Sequence, residues 1–321
     1  LNAVSVRAEP LDPNTFVSGG PFPVGAVAID TDALSVNGSP WPNAGVLSLG
    51  ADQDVAVFTF HGDSVITGNV TLNGSLPAVV LFRAPVSVSG TWTVNAGRRT
   101  DGPGKGSSPV NGGGGGGGFG GNGGKGATAS GGMLYGGLGS LLESGSGGGG
   151  VLGPTGAKLG GGAIKIGVVG AMDLSGAVIS ANGENGTTVF QKGSGGGSGG
   201  GIFLHAFTVV LNAATQLRTQ GGNGGNGDVG NLFPGGGGGG GGRIAILRNT
   251  AGSYTSGGAL FSVSGGSAGA TGQGSTAAGS VGAISTSSSP TVGLPEPERA
   301  LLGLAALATL ALRRRSMNGM A

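Results

Sequence analysis

The chain has 321 residues, of which 80 are Gly and 15 are Pro, with 9% charged residues and a formal net charge of +2. Gly and Pro together make up about 30%, the composition at which low complexity becomes the default expectation. The glycines fall in unbroken runs rather than at every third position, which excludes collagen, and the apolar share of 37% is too high for a solvated disordered chain.

The charge excess is local. From Thr291 onward Arg299, Arg313, Arg314 and Arg315 face only Glu296 and Glu298, so residues 1–290 are neutral, with 12 charges of each sign. A neutral body has no electrostatic footprint for nucleic acid. The absence of Cys excludes disulfides and thiolate metal sites. The sequence opens at Leu1 with no basic and apolar leader, which reads as a removed signal peptide or a fragment.

In chain order, residues 1–54 read as an irregular cap region. Pro10, Pro13, Pro21, Pro23, Pro40 and Pro42 break up short apolar pieces such as 24–29 and 46–49, a pattern of isolated edge strands. From 55 to 286 the texture is that of a Gly-rich β-solenoid. Val55–Phe60, Asn69–Leu72, Ala78–Phe82, Val86–Val88 and Thr91–Val94 are β-branched or aromatic runs, each closed by Gly, Asn or Pro. No amphipathic helix of useful length can be written before residue 296.

A Gly-dominated insert over about 102–162 follows, and then a repeat. Gly-rich tracts lead into apolar runs starting near 163, 202, 243 and 281, steps of 39, 41 and 38 residues. The 85 residues from Ala78 to 163 read as about two such steps. A fixed period of this size signals stacked coils that bury Ile, Leu, Val and Phe in a column, as in a parallel β-helix. The Gly runs themselves read in two ways: as floppy loops between coils, or as extended helices of the polyproline II type, polyglycine II, bonded to one another across the runs. The expected fold class is therefore all-β, a parallel β-helix or solenoid with Gly-rich inserts, plus a short C-terminal helix.

Residues 287–294 read as a linker, 295–315 as a tripartite tail and 316–321 as a trailing extension. Pro295, Glu296 and Pro297 precede thirteen uncharged residues, 300–312, and then Arg313, Arg314 and Arg315. As a helix the run is about 20 Å long, short of the roughly 30 Å hydrocarbon core of a bilayer, and its arginines would hold the C-terminus on the cytoplasmic side. This tail resembles the PEP-CTERM protein-sorting signal. That resemblance implies recognition of Pro295, Glu296 and Pro297 by an exosortase, transient residence in the inner membrane of a Gram-negative bacterium, and export to the surface or extracellular matrix. Residues 55–286 likewise resemble Gly-rich β-helical surface proteins of such bacteria, through Phe58-x-Phe60, the Val86–Asn95 strand pair and the repeated Gly-Gly-Gly-x-Ile units.

Motifs of catalysis are weak here because Gly occupies one residue in four. Gly196-Gly197-Ser198-Gly199-Gly200 matches a nucleophile elbow in letters, yet no helix follows it. Gly221–Asn226 offers Asn where a calcium-binding turn needs Asp, and Asp228 is out of register. Of the two histidines, His205 reads as a partly exposed strand residue. Asp173, Glu184 and Asp228 stand singly, while Asp52, Asp54 and Asp63 sit near the N-terminal edge, so no carboxylate pair is evident. The expectation is no enzyme, no cofactor and no metal site. It is a structural or adhesive protein whose partners are an exosortase, exopolysaccharide or other surface proteins, and no nucleic acid. The alternatives are a carbohydrate-active β-helix and a module binding polysaccharide or ice.

Overall fold

The protein, a computed structural model, is described over residues 11–49, 54–136, 142–290 and 292–293. Its strands form a ten-stranded sheet, an eight-stranded sheet and a two-stranded ribbon, in an open, almost all-β arrangement that mixes parallel and antiparallel pairs. Antiparallel strand pairs occur at the N-terminal edges, where Gly45–Ser48 pairs with Asp54–Phe60, Val27–Asp30 with Ser35–Val36 and Ser35–Val36 with Ser39–Pro40, and in the ribbon Thr188–Val189 with Lys192–Gly193. Every other strand pair is parallel.

Register explains the repeat. In the larger sheet Ala56, Ala78, Ile164, Ile202, Ile244 and Ile284 stack in one row. Two residues on, Phe58, Val80, Ile166, Leu204 and Ile246 form the next row. In the smaller sheet Val70, Trp92, Ile179, Leu217 and Phe261 align in the same way. Alternation along each strand directs these rows, apart from the exposed Ile284 at the C-terminal edge, into one core between the sheets, where Trp92, Phe58, Phe60 and Phe82 are fully buried. At the N-terminal end the outer face of the larger sheet is covered as well, with Val55, Val57, Val79 and Leu81 packed against Leu11, Phe16 and Leu142.

The step between stacked strands corrects one sequence expectation. Ala78 lies directly beside Ile164, with no coil between them. The earlier strands step by 22 residues, as in Ala56 to Ala78 and Val70 to Trp92. The later steps of about 40 are therefore that short rung plus a Gly-rich excursion to one side of the sheets. Residues 102–162 are a longer excursion of the same sort.

These excursions pack on each other through backbone alone. Within 235–242 the donors point in three directions with a three-residue period. Gly236, Gly239 and Gly242 donate to Gly225, Gly222 and Thr219; Gly237 and Gly240 to Gly114 and Gly117; Gly238 and Gly241 to Ala277 and Ser280. The carbonyls of the same segment accept from 196–199, 121–127 and 266–269, so six neighbouring segments surround it. Segments 112–118 and 193–200 are enclosed in the same manner. A Cβ on Gly238 would fall 2.0 Å from the Gly266 carbonyl oxygen, which is why side chains are absent there.

No helix among the described residues is long and apolar enough to cross a membrane, and the helix Pro13–Thr15 is a single 3₁₀ turn. The expected transmembrane helix, and with it the inner-membrane stage and the surface or extracellular destination read from it, are corrected to this finding: the described residues hold no spanning helix. Pro295, Glu296, Pro297, the run 300–312 and Arg313, Arg314 and Arg315, like the expected C-terminal helix, lie outside the described residues.

Candidate functional site

Two surfaces gather polar side chains. The first is a cleft of about 390 Å³ where the stacked strands meet the Gly-rich excursions, lined by Asp54, Leu76, Pro77, Arg99, Leu142 and Glu143 among others. Asp54 opens the strand Asp54–Phe60, Arg99 follows the turn after Thr91–Val94, and Glu143 comes from the long excursion. Beneath the cleft the Tyr135 hydroxyl donates to the Ser144 carbonyl at 2.6 Å and accepts from Ser146 Oγ at 3.0 Å, with Arg99 Nη2 at 3.5 Å. Arg243 reaches across from its own strand, donating to the carbonyls of Tyr135 at 2.6 Å and Gly136 at 2.9 Å and lying over the Phe119 ring.

Burial pushes the Glu143 carboxyl up from its ordinary range, against the opposing pull of the Arg243 and Arg99 guanidiniums. Burial likewise raises the Tyr135 hydroxyl. A carboxyl that holds its proton longer in a cleft is suited to donating it to a ligand oxygen. Sequence reasoning passed over Glu143, Arg99, Tyr135 and Arg243. The contacts join residues 107 and 108 apart, and the surrounding Gly-Ser text carries no local signal of them.

The second surface is one flat side of the Gly-rich stack, where segments 182–185, 220–226 and 264–270 lie side by side. The backbone N–H groups of Gln220 and Asn223 donate to the Oδ1 atoms of Asn182 and Asn185, each at 2.8 Å. Those of Ser267 and Ala270 donate to the Oδ1 atoms of Asn223 and Asn226 at 2.9 and 2.8 Å. At this edge no further segment among the described residues takes the outward N–H, and an Asn side chain takes it instead. Asn122 does the same elsewhere for the Leu134 N–H. A groove of about 340 Å³ runs over the three segments, lined by Asn182, Asn185, Gln220, Asn223 and Ser264.

The residues weighed in the sequence fall into structural roles. Ser198 is fully buried, bonded through Oγ to the Ser146 backbone, and no helix follows it. Asp173 accepts from the Ser175 N–H, Glu184 from the Leu159 N–H while pairing with Arg98 at 3.5 Å, and Asp228 from Asn231. Asn223 and Asn226 of the calcium-like turn spend their Oδ1 atoms as described above. Among the described residues no group of three or more His, Asp or Glu is placed to hold a metal ion. His205 is the clearest departure: it is 1% exposed in the middle of Gly201–Val210, not a partly exposed strand residue. Beside it Lys165 is buried with its Nζ 4.9 Å from the Phe203 ring centre.

No family model matches the chain, and no similar chain is found among curated proteins or solved structures. The expected membership of the PEP-CTERM surface proteins is corrected by that result together with the absence of a spanning helix among the described residues.

Proposed function

We propose that this chain is a non-catalytic structural or adhesive protein, a parallel β-helix whose Gly-rich inserts form a polyglycine II stack along one side. Polyproline II geometry has three residues per turn and no internal hydrogen bonds, and the three-residue period of donor directions in 235–242 matches it. The observation that carries the reading is the enclosure of that segment by six others. So many glycines committed to backbone bonding make a stiff platform, and such a platform serves shape and contact rather than loop motion.

A second reading rests on the cleft. Glu143, pushed up by burial, lies with Asp54 and Arg99 in an open groove, and an acid of that kind beside a second carboxylate is the equipment of glycoside hydrolysis. One experiment separates the two. The purified full chain is incubated with suspensions of cellulose, chitin and linear mannan, and both sedimented protein and released reducing ends are measured. Sedimentation without release supports the structural and adhesive reading. Release that falls at least tenfold in Glu143→Gln overturns it in favour of a carbohydrate-active enzyme.

A further inference from the structure

We infer that the flat face built from 182–185, 220–226 and 264–270 is a binding surface for an extended, uncharged glycan chain. The inference rests on the adhesive reading above and names its surface and ligand class.

The face is ordered before any ligand arrives. Gly222 and Gly225 donate inward to Gly197 and Ser194, while Gly221, Gly224 and Gly227 donate sideways to Ser264, Ser267 and Ala270. Every third residue is left to point outward, and these are Asn182 and Asn185, then Gln220, Asn223 and Asn226, then Ser264, Ser267 and Ala270. At the polyproline II rise, three residues span about 9 Å, so each row repeats its polar group at that interval. Binding to a surface already fixed in this way avoids the ordering cost that flexible side chains and loops impose.

Its chemistry is donor and acceptor without charge. The Oδ1 atoms of Asn185, Asn223 and Asn226 accept from the backbone N–H groups of Asn223, Ser267 and Ala270, and the amide N–H₂ groups of these exposed side chains have no acceptor among the described residues. Between them, the carbonyls of Gly221 and Gly224 receive no donor among the described residues. Ser264 and Ser267 add hydroxyls that serve both roles. Glu184, between the lining residues Gly183 and Asn185 in the chain, is tied to the Leu159 N–H and to Arg98. Arg98, the guanidinium that reaches these segments, is engaged by the Asn182 carbonyl at 3.0 Å and by Glu184, and the groove lining itself carries no cation for an anionic polymer and no aromatic anchor for a protein partner. A neutral polyhydroxyl chain, which offers donors and acceptors at every ring, matches both halves of the array along the groove.

The test uses the full chain in sedimentation with cellulose, chitin and linear mannan. Asn223→Asp combined with Asn226→Asp keeps an acceptor for the Ser267 and Ala270 N–H groups and replaces the outward donors by negative charge. Ser267→Lys places bulk and charge on the face without removing a hydrogen bond of the stack. Both are expected to bind at least tenfold more weakly with melting temperatures near that of the unaltered protein. Asn122→Asp, on another side of the stack, is expected to bind normally. Binding by the unaltered chain that survives both face variants overturns the surface and leaves the adhesive reading standing. Failure of the unaltered chain to bind any of the three glycans overturns the ligand class. Thermal hysteresis in freezing solutions that disappears in the face variants, without glycan binding, would give the surface to ice instead.

Discussion

The imidazole of His205 occupies the space that Gly167 leaves empty on the neighbouring strand, where a Cβ would fall 2.3 Å from Nε2. The two are register partners, and Leu81 closes the same space from the other side, 2.8 Å from that Cβ position. Gly167→Ala is therefore expected to cost about 1–3 kcal/mol through overpacking. His205→Ala, which opens the space, should reduce that penalty by more than half in the double variant. Urea unfolding of the four proteins of the cycle measures the coupling; additive effects would show that the two residues do not compete for this volume.

The same burial predicts how stability varies with pH. His205 is held down to about 3, first by burial and then by the Lys165 charge, against an unfolded value near 6.5. Between those values the unfolded chain binds the proton and the folded chain does not, so this group makes stability fall as pH drops from about 6.5 towards 3. Lys165 is held down to about 8 by burial, so its cost is present below 8 and is relieved as pH rises from about 8 towards 10.5. Thermal unfolding is expected to show a rising acid limb that flattens in His205→Phe, and a rise from pH 8 to 9.5 that is lost in Lys165→Met. Acid limbs of equal slope in the parent and His205→Phe would remove His205 as the cause.

The Gly-rich stack is expected to respond to position rather than to composition. A Cβ on Gly238 would meet the Gly266 carbonyl oxygen at 2.0 Å, whereas one on Gly230 meets its nearest neighbour, an Asp228 carboxylate oxygen, at 3.5 Å. Gly238→Ala must push whole segments apart and is expected to cost 2 kcal/mol or more, about the scale of overpacking in a close-packed interior. Gly230→Ala should be neutral to slightly stabilising, since Ala restricts the unfolded chain. Hydrogen exchange is the sharper readout: protection of the Gly236–Gly242 amides should drop in the first variant and persist in the second.

How far the sequence disclosed this arrangement follows from where its information is local. Ile164, Ile202, Ile244 and Ile284 were legible as a period because each rung repeats the same apolar text, and they stack in register. The 22-residue rung was hidden: only the strands between Val55 and Val94 show it without an excursion, and the longer period dominates the rest. Asn122, Asn223 and Asn226 were present in the text as Gly-Gly-Asn triplets, and Asn182 and Asn185 as Asn-Gly pairs, but the meaning of these caps depends on which segments lie at an edge, a property of the packed stack. The cleft was illegible for a different reason. Arg243 meets Tyr135 and Gly136 through two backbone carbonyls, which any residue could supply, so nothing in the side chains announces the contact.

That contact is also the one by which the cleft's acid can be probed. Arg243 is the largest charge holding the Glu143 carboxyl down against burial, and its Nη2 donates to both the Tyr135 and Gly136 carbonyls. Arg243→Met keeps an apolar side chain of similar reach and removes the charge over Phe119, so the Glu143 carboxyl is expected to rise further, by a step visible in its carbon-detected NMR titration. Lost charge-assisted hydrogen bonds should also cost about 1.5–3 kcal/mol. Arg243→Lys restores the charge without the planar guanidinium over Phe119, and should return the Glu143 titration most of the way while recovering only part of the stability. A titration unmoved by Arg243→Met would show that Arg243 fastens the excursion to the strand and has no part in setting the acid.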